Sequence, residues 1–238
     1  MVACFGAPRL ALAAEPAASA ARVPERPIAA AARVFRSDLH QFLSRRTLIV
    51  LASGGALAGI AVAHEDPESI VHGLSGSAWE DASNVGNTWG NGAFAAGLTG
   101  AMLLAGHVAG DSTMSGTGFE MARALVYTGG LVTGLKVLAN RTRPDGGKYS
   151  FPSGHAAFAT SMVPVLARAY GYKVGIPAGV LAGLTSIGRL EDRRHYLSDV
   201  IFGSAIGLSV GLAVSDPTPA HPVTFGLTDR GAELTLHF

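Results

Sequence analysis

Charged and apolar positions are unevenly distributed along this chain, and the charge-free stretches predict its helices. Six stretches contain no Asp, Glu, Lys or Arg: 47–63, 82–110, 124–135, 149–167, 174–188 and 200–215. Apolar stretches of this kind are typical of buried or membrane-spanning helices. In the second stretch a helix is expected only from Ala93 to Gly110, because the glycine-punctuated polar segment from Ser83 to Asn91 favours a loop. The third helix is expected to extend beyond its stretch, from Phe119 to Asn140.

Two environments are compatible with six such helices. A transmembrane helix usually needs about 20 mainly apolar residues, and several of the stretches are shorter, as in a soluble Ala/Gly-rich bundle. Glycines four residues apart favour the membrane, since this spacing lets helices approach closely in lipid. The spaced glycines are Gly55 and Gly59, Gly130 and Gly134, Gly179 and Gly183, and Gly203, Gly207 and Gly211. We therefore expect an all-α, six-helix bundle that spans a membrane, with the soluble bundle as the alternative.

The two ends of the chain differ from this helical domain, which we assign to residues 47–215. In the N-terminal extension, 1–46, the segment LALAAE at 10–15 resembles the end of a secretory signal. By contrast, Arg45 and Arg46 precede the first helix and favour a cytoplasmic N-terminal end under the positive-inside rule. A cleaved signal would contradict that orientation. In the tail, 216–238, partial alternation of apolar residues predicts a small C-terminal β-hairpin.

Composition narrows the function classes. Lys plus Arg number 18 and Asp plus Glu 17, which excludes the strongly basic balance of a nucleic-acid binder. The single cysteine excludes an intrachain disulfide framework and a thiolate zinc cluster within one chain. With 48% hydrophobic and only 15% charged residues, the chain is not a disordered protein. The sequence does not specify an oligomeric state.

Two polar blocks border the loop between the third and fourth predicted helices. The block KVLANRTRP places Lys136 at the end of a helix and Arg143 in the loop after it. The block FPSGH begins the next helix, where Ser153 can cap the first turn. The free backbone N–H groups of such a helix start form a natural anion site.

A third polar block, GRLEDRRHYLSD, joins the fifth and sixth predicted helices. It places Arg189 at the end of one helix and His195 near the start of the next, with Asp199 four residues later on the same helical face. In an up-and-down bundle with short loops, all three blocks lie at one end. With the N-terminus inside, that end faces outward.

These residue types suit phosphoryl transfer. Lys136, Arg143 and Arg189 can neutralise phosphate oxygens, while the Ser153 hydroxyl and the Gly154 N–H group supply hydrogen bonds to the transition state. No metal or other cofactor is required by this arrangement. Each residue alone is better explained as an ordinary helix-end charge or surface group, so the prediction depends on their combination.

Two histidines in these blocks can divide the chemistry. Phosphoryl transfer needs a nucleophile on one side of phosphorus and a proton donor for the leaving oxygen on the other. His195 is the better nucleophile, because Asp199 can accept a hydrogen bond from its Nδ1 and stabilise the charge that develops during attack by Nε2. His155 is left as the acid.

The pattern K-x6-R-P in Lys136 to Pro144, P-S-G-H in Pro152 to His155 and R-x5-H-x3-D from Arg189 to Asp199 resembles the three-part signature of the type 2 phosphatidic acid phosphatase (PAP2) superfamily. That superfamily includes bacterial acid phosphatases and vanadium haloperoxidases. The resemblance implies a helical catalytic domain and metal-independent hydrolysis of phosphate esters through a phosphohistidine. It also implies the roles given above to the histidines and the phosphate-binding residues.

The sequence departs from this signature in the third block. The family usually has Ser before the arginine, whereas Gly188 precedes Arg189 here, so one phosphate-facing hydroxyl is missing unless Ser186 or a water substitutes. Four consecutive charged residues follow at 191–194. Two interpretations are open: these charges alter the entrance for a headgroup, or they form a plain solvated loop.

The leading hypothesis is a phosphatase that acts on a lipid phosphate monoester or diphosphate. We expect it in a bacterial-type inner membrane with the site facing the periplasm or exterior. The alternatives are a soluble periplasmic non-specific acid phosphatase, a vanadium-dependent haloperoxidase and a non-catalytic phospholipid binder. Phosphatidate, phosphatidylglycerol phosphate, a polyprenyl diphosphate and a lipid A phosphate are all candidate substrates.

Overall fold

The computed structural model describes residues 27–66 and 77–215 together with two strands near the C-terminus. The helices are α1 (Pro27–Phe42), α2 (Arg45–Val62), α3 (Ser77–Trp89), α4 (Gly92–Ala109), α5 (Ser112–Ala139), α6 (Gly154–Tyr170), α7 (Tyr172–Glu191) and α8 (Leu197–Ser215). Strands β1 (Val223–Thr228) and β2 (Gly231–Leu236) pair antiparallel, with Val223 opposite Leu236. The signal-like segment at 10–15 lies outside the described residues.

The helical fold class is confirmed, but the described residues contain eight helices, so the predicted count of six is wrong. One additional helix, α1, lies in the segment assigned to the N-terminal extension. The other, α3, covers most of the segment 83–91 that was expected to be a loop. Tertiary packing explains α3, because a Cβ on Gly86 or Gly90 would overlap α7, and only glycine allows the two helices to lie so close.

Polar caps define where the central helices begin and end. Asp111 accepts hydrogen bonds from the N–H groups of Thr113 and Met114 at 2.9 and 3.0 Å, so α5 begins at Ser112, earlier than predicted. The same helix ends at Asn140, whose left-handed backbone (φ 41°) turns the chain sharply away from the helix axis. These short reversals direct the polar blocks toward one end of the bundle.

The core is formed where α6 packs along α8. Met162 and Val165 on α6 and Ile206 and Val210 on α8 are buried with Met121 of α5. Close packing at this contact depends on small residues, as predicted for one of the spaced-glycine sets. A Cβ on any glycine of that set, Gly203, Gly207 or Gly211, would overlap backbone atoms of α6.

The other spaced glycines do not all serve helix contacts. A Cβ on Gly59, Gly130, Gly134 or Gly183 would meet no atom of the described residues within 4 Å, so these positions are not used for helix contacts within that part of the chain. In α2 it is instead Gly54 that faces Ala205 of α8. The spacing alone does not show which face of a helix has a neighbour.

Among the described residues, three helices have the length and apolarity to cross a membrane: α2, α4 and α8. Only 22% of the apolar window of α2 and 17% of that of α4 are buried within the protein, against 67% for α8. The outer faces of α2 and α4 are therefore available to lipid, whereas α8 is mainly a core helix.

A buried ionic cluster connects α1, α5 and α8 far from the polar blocks. Arg123 Nη1 lies 2.5 Å from Asp38 Oδ1, and Arg123 Nη2 donates to the carbonyl of Val214 at 3.0 Å. The Tyr127 hydroxyl donates to the other oxygen of Asp38 at 2.9 Å. Each charge in this cluster has a partner, so the cluster fastens α1 to the bundle.

Candidate active site

The three polar blocks meet at one end of the bundle, as their connectivity predicts. The Ser153 N–H group donates to the carbonyl of Asp199 at 2.9 Å, which joins the start of α6 to the start of α8. Lys136 Nζ, near the end of α5, donates to the carbonyls of Tyr149 and Ser150 at 2.6 and 3.3 Å. Three helix ends and one loop thus surround a common region.

Lys136 lies along the first turn of α6. A Cβ placed on Gly154 would be 3.9 Å from Lys136 Cε, so a residue without a side chain leaves this path open for the lysine. Burial, followed by the charge of Arg143, lowers the pKa of Lys136 to about 8. An anion between the two cations would counteract the effect of Arg143 and favour the charged lysine.

Arg143 is held by a tight turn in the loop between α5 and α6. Its N–H group donates to the carbonyl of Gly147 at 2.7 Å, and the Gly146 N–H group donates to the Arg143 carbonyl at 3.0 Å. The Nε atom of Arg143 is buried and has no hydrogen-bond partner among the described residues. An unpaired buried donor is unfavourable, so this N–H group is suited to an anionic ligand.

The start of α6 has the features of an anion site. Ser153 is fully buried and caps the helix, although its Oγ is 3.5 Å from the Ala156 N atom, which is a weak cap. Gly154 and His155 follow in the first turn, where backbone N–H groups have no partner within the helix. The free backbone N–H groups at this helix start therefore favour an anionic ligand even without a side-chain cation.

His195 lies in the turn just before α8 and is only 5% exposed. Its Nδ1 is 3.5 Å from Asp199 Oδ2, an ion-pair distance at which no hydrogen bond forms. That oxygen already accepts hydrogen bonds from the Ser150 hydroxyl and from the Tyr196 N–H group, the latter at 3.0 Å. The pairing predicted from the sequence is thus present as a close approach.

Both histidines of the site favour the neutral form. Burial lowers the pKa of His195, and the neighbouring Asp199 carboxylate acts in the opposite direction. For His155 burial is again the largest cause, but here the neighbouring charges, Arg189 foremost, act in the same direction and lower the pKa to about 4. Burial and the converging cations together therefore keep His155 neutral.

Arg141 is a site residue that the sequence analysis missed. Its Nη1 donates to Asp199 Oδ1 at 2.8 Å and to the Ser198 hydroxyl at 2.7 Å, and its guanidinium lies 4.0 Å from the centre of the Tyr196 ring. Asp199 is completely buried, so Arg141 is the cation that compensates its charge. Arg141 lies within the first polar block, and only tertiary structure shows which arginine there faces the aspartate.

Glu65, just after α2, was also missed. Its two oxygens accept from Arg141 Nη2 at 2.6 Å and from the Ser198 N–H group at 2.8 Å. This carboxylate therefore holds Arg141 against the first turn of α8. Its separation of 76 residues from Arg141 leaves no local pattern that could have identified it.

The third block differs from its prediction in two respects. Ser186 does not replace the missing hydroxyl, because its Oγ donates to the carbonyl of Ala182 at 3.0 Å within its own helix. The charged segment 191–194 is not simply a solvated loop, since Arg194 pairs with Asp145 at 3.1 Å and Asp192 pairs with Arg189. The segment is tied to the loop that carries Arg143.

Comparison with known proteins identifies similar sequences over the part of the chain that contains most of this site. Residues 117–217 match the model of the PAP2 superfamily. The chain is 35% identical over 94 residues to lipid A 1-phosphatase of Porphyromonas gingivalis, covering 38% of this chain and 21% of that protein. It is 31% identical over 99 residues to lipid A 4'-phosphatase of Helicobacter pylori, covering 37% and 50%.

Two further relatives come from Bacillus subtilis. Phosphatidylglycerophosphatase B is 34% identical over 90 residues, covering 31% of this chain and 44% of that protein. The crystal structure of a transmembrane PAP2-type phosphatidylglycerolphosphate phosphatase is similar with a TM-score of 0.49 and 24% identity, covering 75% of this chain and 94% of that one. The chain spans half or less of the length of the curated relatives it matches.

Proposed function

We propose that this chain hydrolyses a phosphate ester of a lipid, because residues 117–217 match the PAP2 superfamily model and contain every candidate site residue except Glu65. The observation that carries the proposal is the convergence of Lys136, Arg143 and Arg189 on two histidines, one of which lies against a buried aspartate. Cations around a nucleophile and a proton donor match the requirements of phosphoryl transfer. The relatives named as lipid phosphatases support the same class of reaction.

The proposed first step forms a bond from His195 Nε2 to phosphorus and breaks the bond from phosphorus to the alcohol oxygen. His155 donates its proton to that oxygen, and the lipid alcohol leaves. In the second step His155 accepts a proton from water, whose oxygen attacks phosphorus and releases His195 and inorganic phosphate. Asp199, held by Arg141, stabilises the imidazolium formed in the first step.

We assign neutralisation of the phosphate charge to side chains of the protein. Lys136, Arg143 and Arg189 bind the phosphate oxygens, and the Ser153 hydroxyl with the Gly154 N–H group completes the oxygen contacts. Burial and the neighbouring cations lower the pKa of His155 to about 4, and a phosphate dianion bound here raises it because its charge offsets those cations. Substrate binding thus converts His155 into a usable acid, and we propose that turnover requires no metal ion.

A lipid substrate is favoured by the surroundings of Lys136. Val137 and Leu138, which follow it at the end of α5, are 63% and 82% exposed. Large apolar side chains beside a phosphate site are suited to acyl or prenyl chains. We place the protein in a bacterial-type inner membrane through the spans α2, α4 and α8, with the site at the periplasmic or exterior face. Arg45 and Arg46, at the start of α2, support this orientation.

The test is phosphate release by the full chain in mild detergent, with EDTA present. The panel contains phosphatidate, phosphatidylglycerol phosphate, a polyprenyl diphosphate, lipid A and water-soluble p-nitrophenyl phosphate. We expect turnover of a lipid member and an acid-labile, base-stable phosphoenzyme after rapid quenching. Preference for the soluble ester would favour an acid phosphatase, and loss of turnover in EDTA would contradict the metal-free mechanism.

A further inference from the structure

The departure at Gly188 coincides with an unpredicted neighbour, the helix α3. A Cβ on Gly188 would lie 2.7 Å from Asn87 Oδ1 and 3.0 Å from the Cβ of Ser83, so no larger residue fits without displacing α3 or the asparagine. The contact continues along the helix, because the Thr185 hydroxyl donates to the carbonyl of Gly86 at 2.5 Å. The missing side chain at Gly188 therefore makes room for Asn87.

Asn87 uses both ends of its amide in this space. Its Oδ1 accepts a hydrogen bond from Arg189 Nε at 2.9 Å, and its Nδ2 donates to Asp192 Oδ2 at 3.1 Å. Asp192 also binds Arg189 Nη2. A guanidinium is planar, and partners on two of its nitrogens fix the orientation of that plane. The side chain of Arg189 is only 12% exposed, so it has little room for other orientations.

The two partners of Arg189 have opposite consequences for a phosphate. Asp192 carries a negative charge and a 41% exposed side chain, so it competes with an anionic ligand for the arginine. Asn87 is neutral and orients Arg189 without cancelling its charge. It also holds Asp192 by a separate hydrogen bond. Without Asn87, Asp192 alone holds the guanidinium, which is then free to rotate about that contact and away from the site.

We propose that Asn87 is a positioning residue that orients Arg189 for phosphate, and that Gly188 is required because it admits Asn87. This inference rests on the proposed function, since Arg189 is taken to bind the phosphate of the substrate. It assigns a role in the site to α3, which lies outside the segment 117–217 matched by the family model.

The test measures binding of inorganic phosphate to the full chain in detergent by calorimetry, together with kcat and KM for the best panel substrate. Asn87→Ala is expected to weaken phosphate binding and raise KM about five- to tenfold, the effect of losing one typical hydrogen bond. Asn84→Ala is the matched control, because Asn84 is an exposed asparagine one turn earlier on the same helix. It is expected to bind phosphate as the wild type does.

A double-mutant cycle separates positioning from a general structural effect. In an Arg189→Lys background the Nε contact does not exist, so adding Asn87→Ala is expected to change phosphate affinity less than twofold. An equal loss in both backgrounds would show that Asn87 merely supports the fold and would overturn the inference. Unfolding temperatures identify any variant that is misfolded. The Gly188→Ser variant described next is a second test that leaves Asn87 itself unchanged.

The second arm introduces the family's serine at the glycine. Gly188→Ser is expected to weaken phosphate binding about as much as Asn87→Ala, because the new Cβ displaces the amide from Arg189. Unchanged or improved binding in Gly188→Ser would overturn the requirement for glycine.

The outcomes also distinguish this inference from the proposed function. Turnover and phosphate binding that are insensitive to Asn87→Ala would remove the inference and leave the function intact. Phosphate binding that depends on Asn87 in a protein without turnover would remove the function and retain the role of Asn87. A wild-type protein that neither binds nor hydrolyses would remove both.

Discussion

The two ends of the bundle use charge in opposite ways. At the end that holds Asp38, Arg123 and Tyr127, each ionic group has a partner of complementary charge or a hydrogen bond on a neighbouring helix. At the other end, burial and then the charges of converging cations, Arg189 foremost, lower the pKa of His155 to about 4.

This difference separates a structural ion cluster from a candidate binding site. Paired buried charges fasten elements together, whereas an excess of one sign raises the affinity for a ligand of the opposite sign. Along α5, Arg123 and Lys136 lie 13 residues apart, or about 20 Å. The same helix therefore carries one cation of the structural ion cluster and one cation of the candidate binding site. Changes at its two ends should affect different properties.

The largest expected effect is on turnover at the convergent end. His195→Ala removes the proposed nucleophile and is expected to lower kcat at least about 1,000-fold, since no covalent intermediate can form. His107→Ala, which changes an exposed histidine at the end of α4, is the control and should retain full activity. Phosphate release by equal amounts of folded protein is the measurement. Similar activity in both variants would remove His195 from the mechanism.

The next largest effect is on stability at the paired end. Asp38→Ala leaves Arg123 buried without its carboxylate and is expected to reduce the free energy of unfolding by about 3 kcal/mol. Denaturant unfolding in detergent measures this loss. Glu120→Ala breaks a looser, partly exposed pair with Arg168 at 3.4 Å and should cost less than about 1 kcal/mol. If Asp38→Ala lowered kcat of the folded protein instead, the two ends would not be independent.

A smaller effect is expected from the pair that supports Asp199. Arg141→Ala leaves this fully buried carboxylate without its cation, so kcat should fall about tenfold through poorer positioning of His195. Removing the positive charge also favours protonated His195, and the acid limb of the pH profile of kcat/KM should move to higher pH. Arg194→Ala, which breaks an exposed pair, is the control. A loss of kcat without a shifted acid limb would assign Arg141 a purely structural role.

The smallest expected effect is the uptake of a fraction of a proton by His155 when phosphate binds. Because burial and the neighbouring cations hold the pKa of His155 near 4, the free protein carries this group neutral at pH 6, and a bound dianion raises the pKa. Binding of inorganic phosphate at pH 6 should therefore include proton uptake by His155, below about one per site, which offsets the proton that the phosphate itself releases when it binds as the dianion. Calorimetry in buffers of different ionisation enthalpy measures this uptake. His155→Ala should lower it, and the same uptake in that variant would place the titration elsewhere.

Local patterns in the sequence were sufficient for part of this architecture. Charge-free stretches predicted α2 and α4 through α8 because burial excludes unpaired charge from helix interiors. The three blocks meet as predicted, since short loops between antiparallel helices leave them no other end. The sequence analysis missed α3 because the glycines of this segment favour a loop in isolation. Close contact with α7 stabilises a helix there.

The site was predictable to the extent that it follows local spacing. Lys136, Arg143 and His155 each stand in a short pattern at a helix end, so residue types and spacing identified them. The supporting contacts join residues far apart in the chain: Glu65 with Arg141, and Asn87 with Arg189. No spacing rule relates such positions, and only their coordinates show the pairing.

The sequence by itself determined the helical class, the common end of the three blocks and the chemistry of their side chains, because these follow from periodicity, connectivity and residue type. Tertiary structure decided which cations are paired and which remain to bind a ligand. Arg123 is paired with Asp38, and Arg141 with Asp199 and Glu65, whereas Arg143 makes no ion pair with any of the described residues. The physical reason is that pairing depends on distances of a few ångströms between different helices, which the order of residues along one chain does not specify.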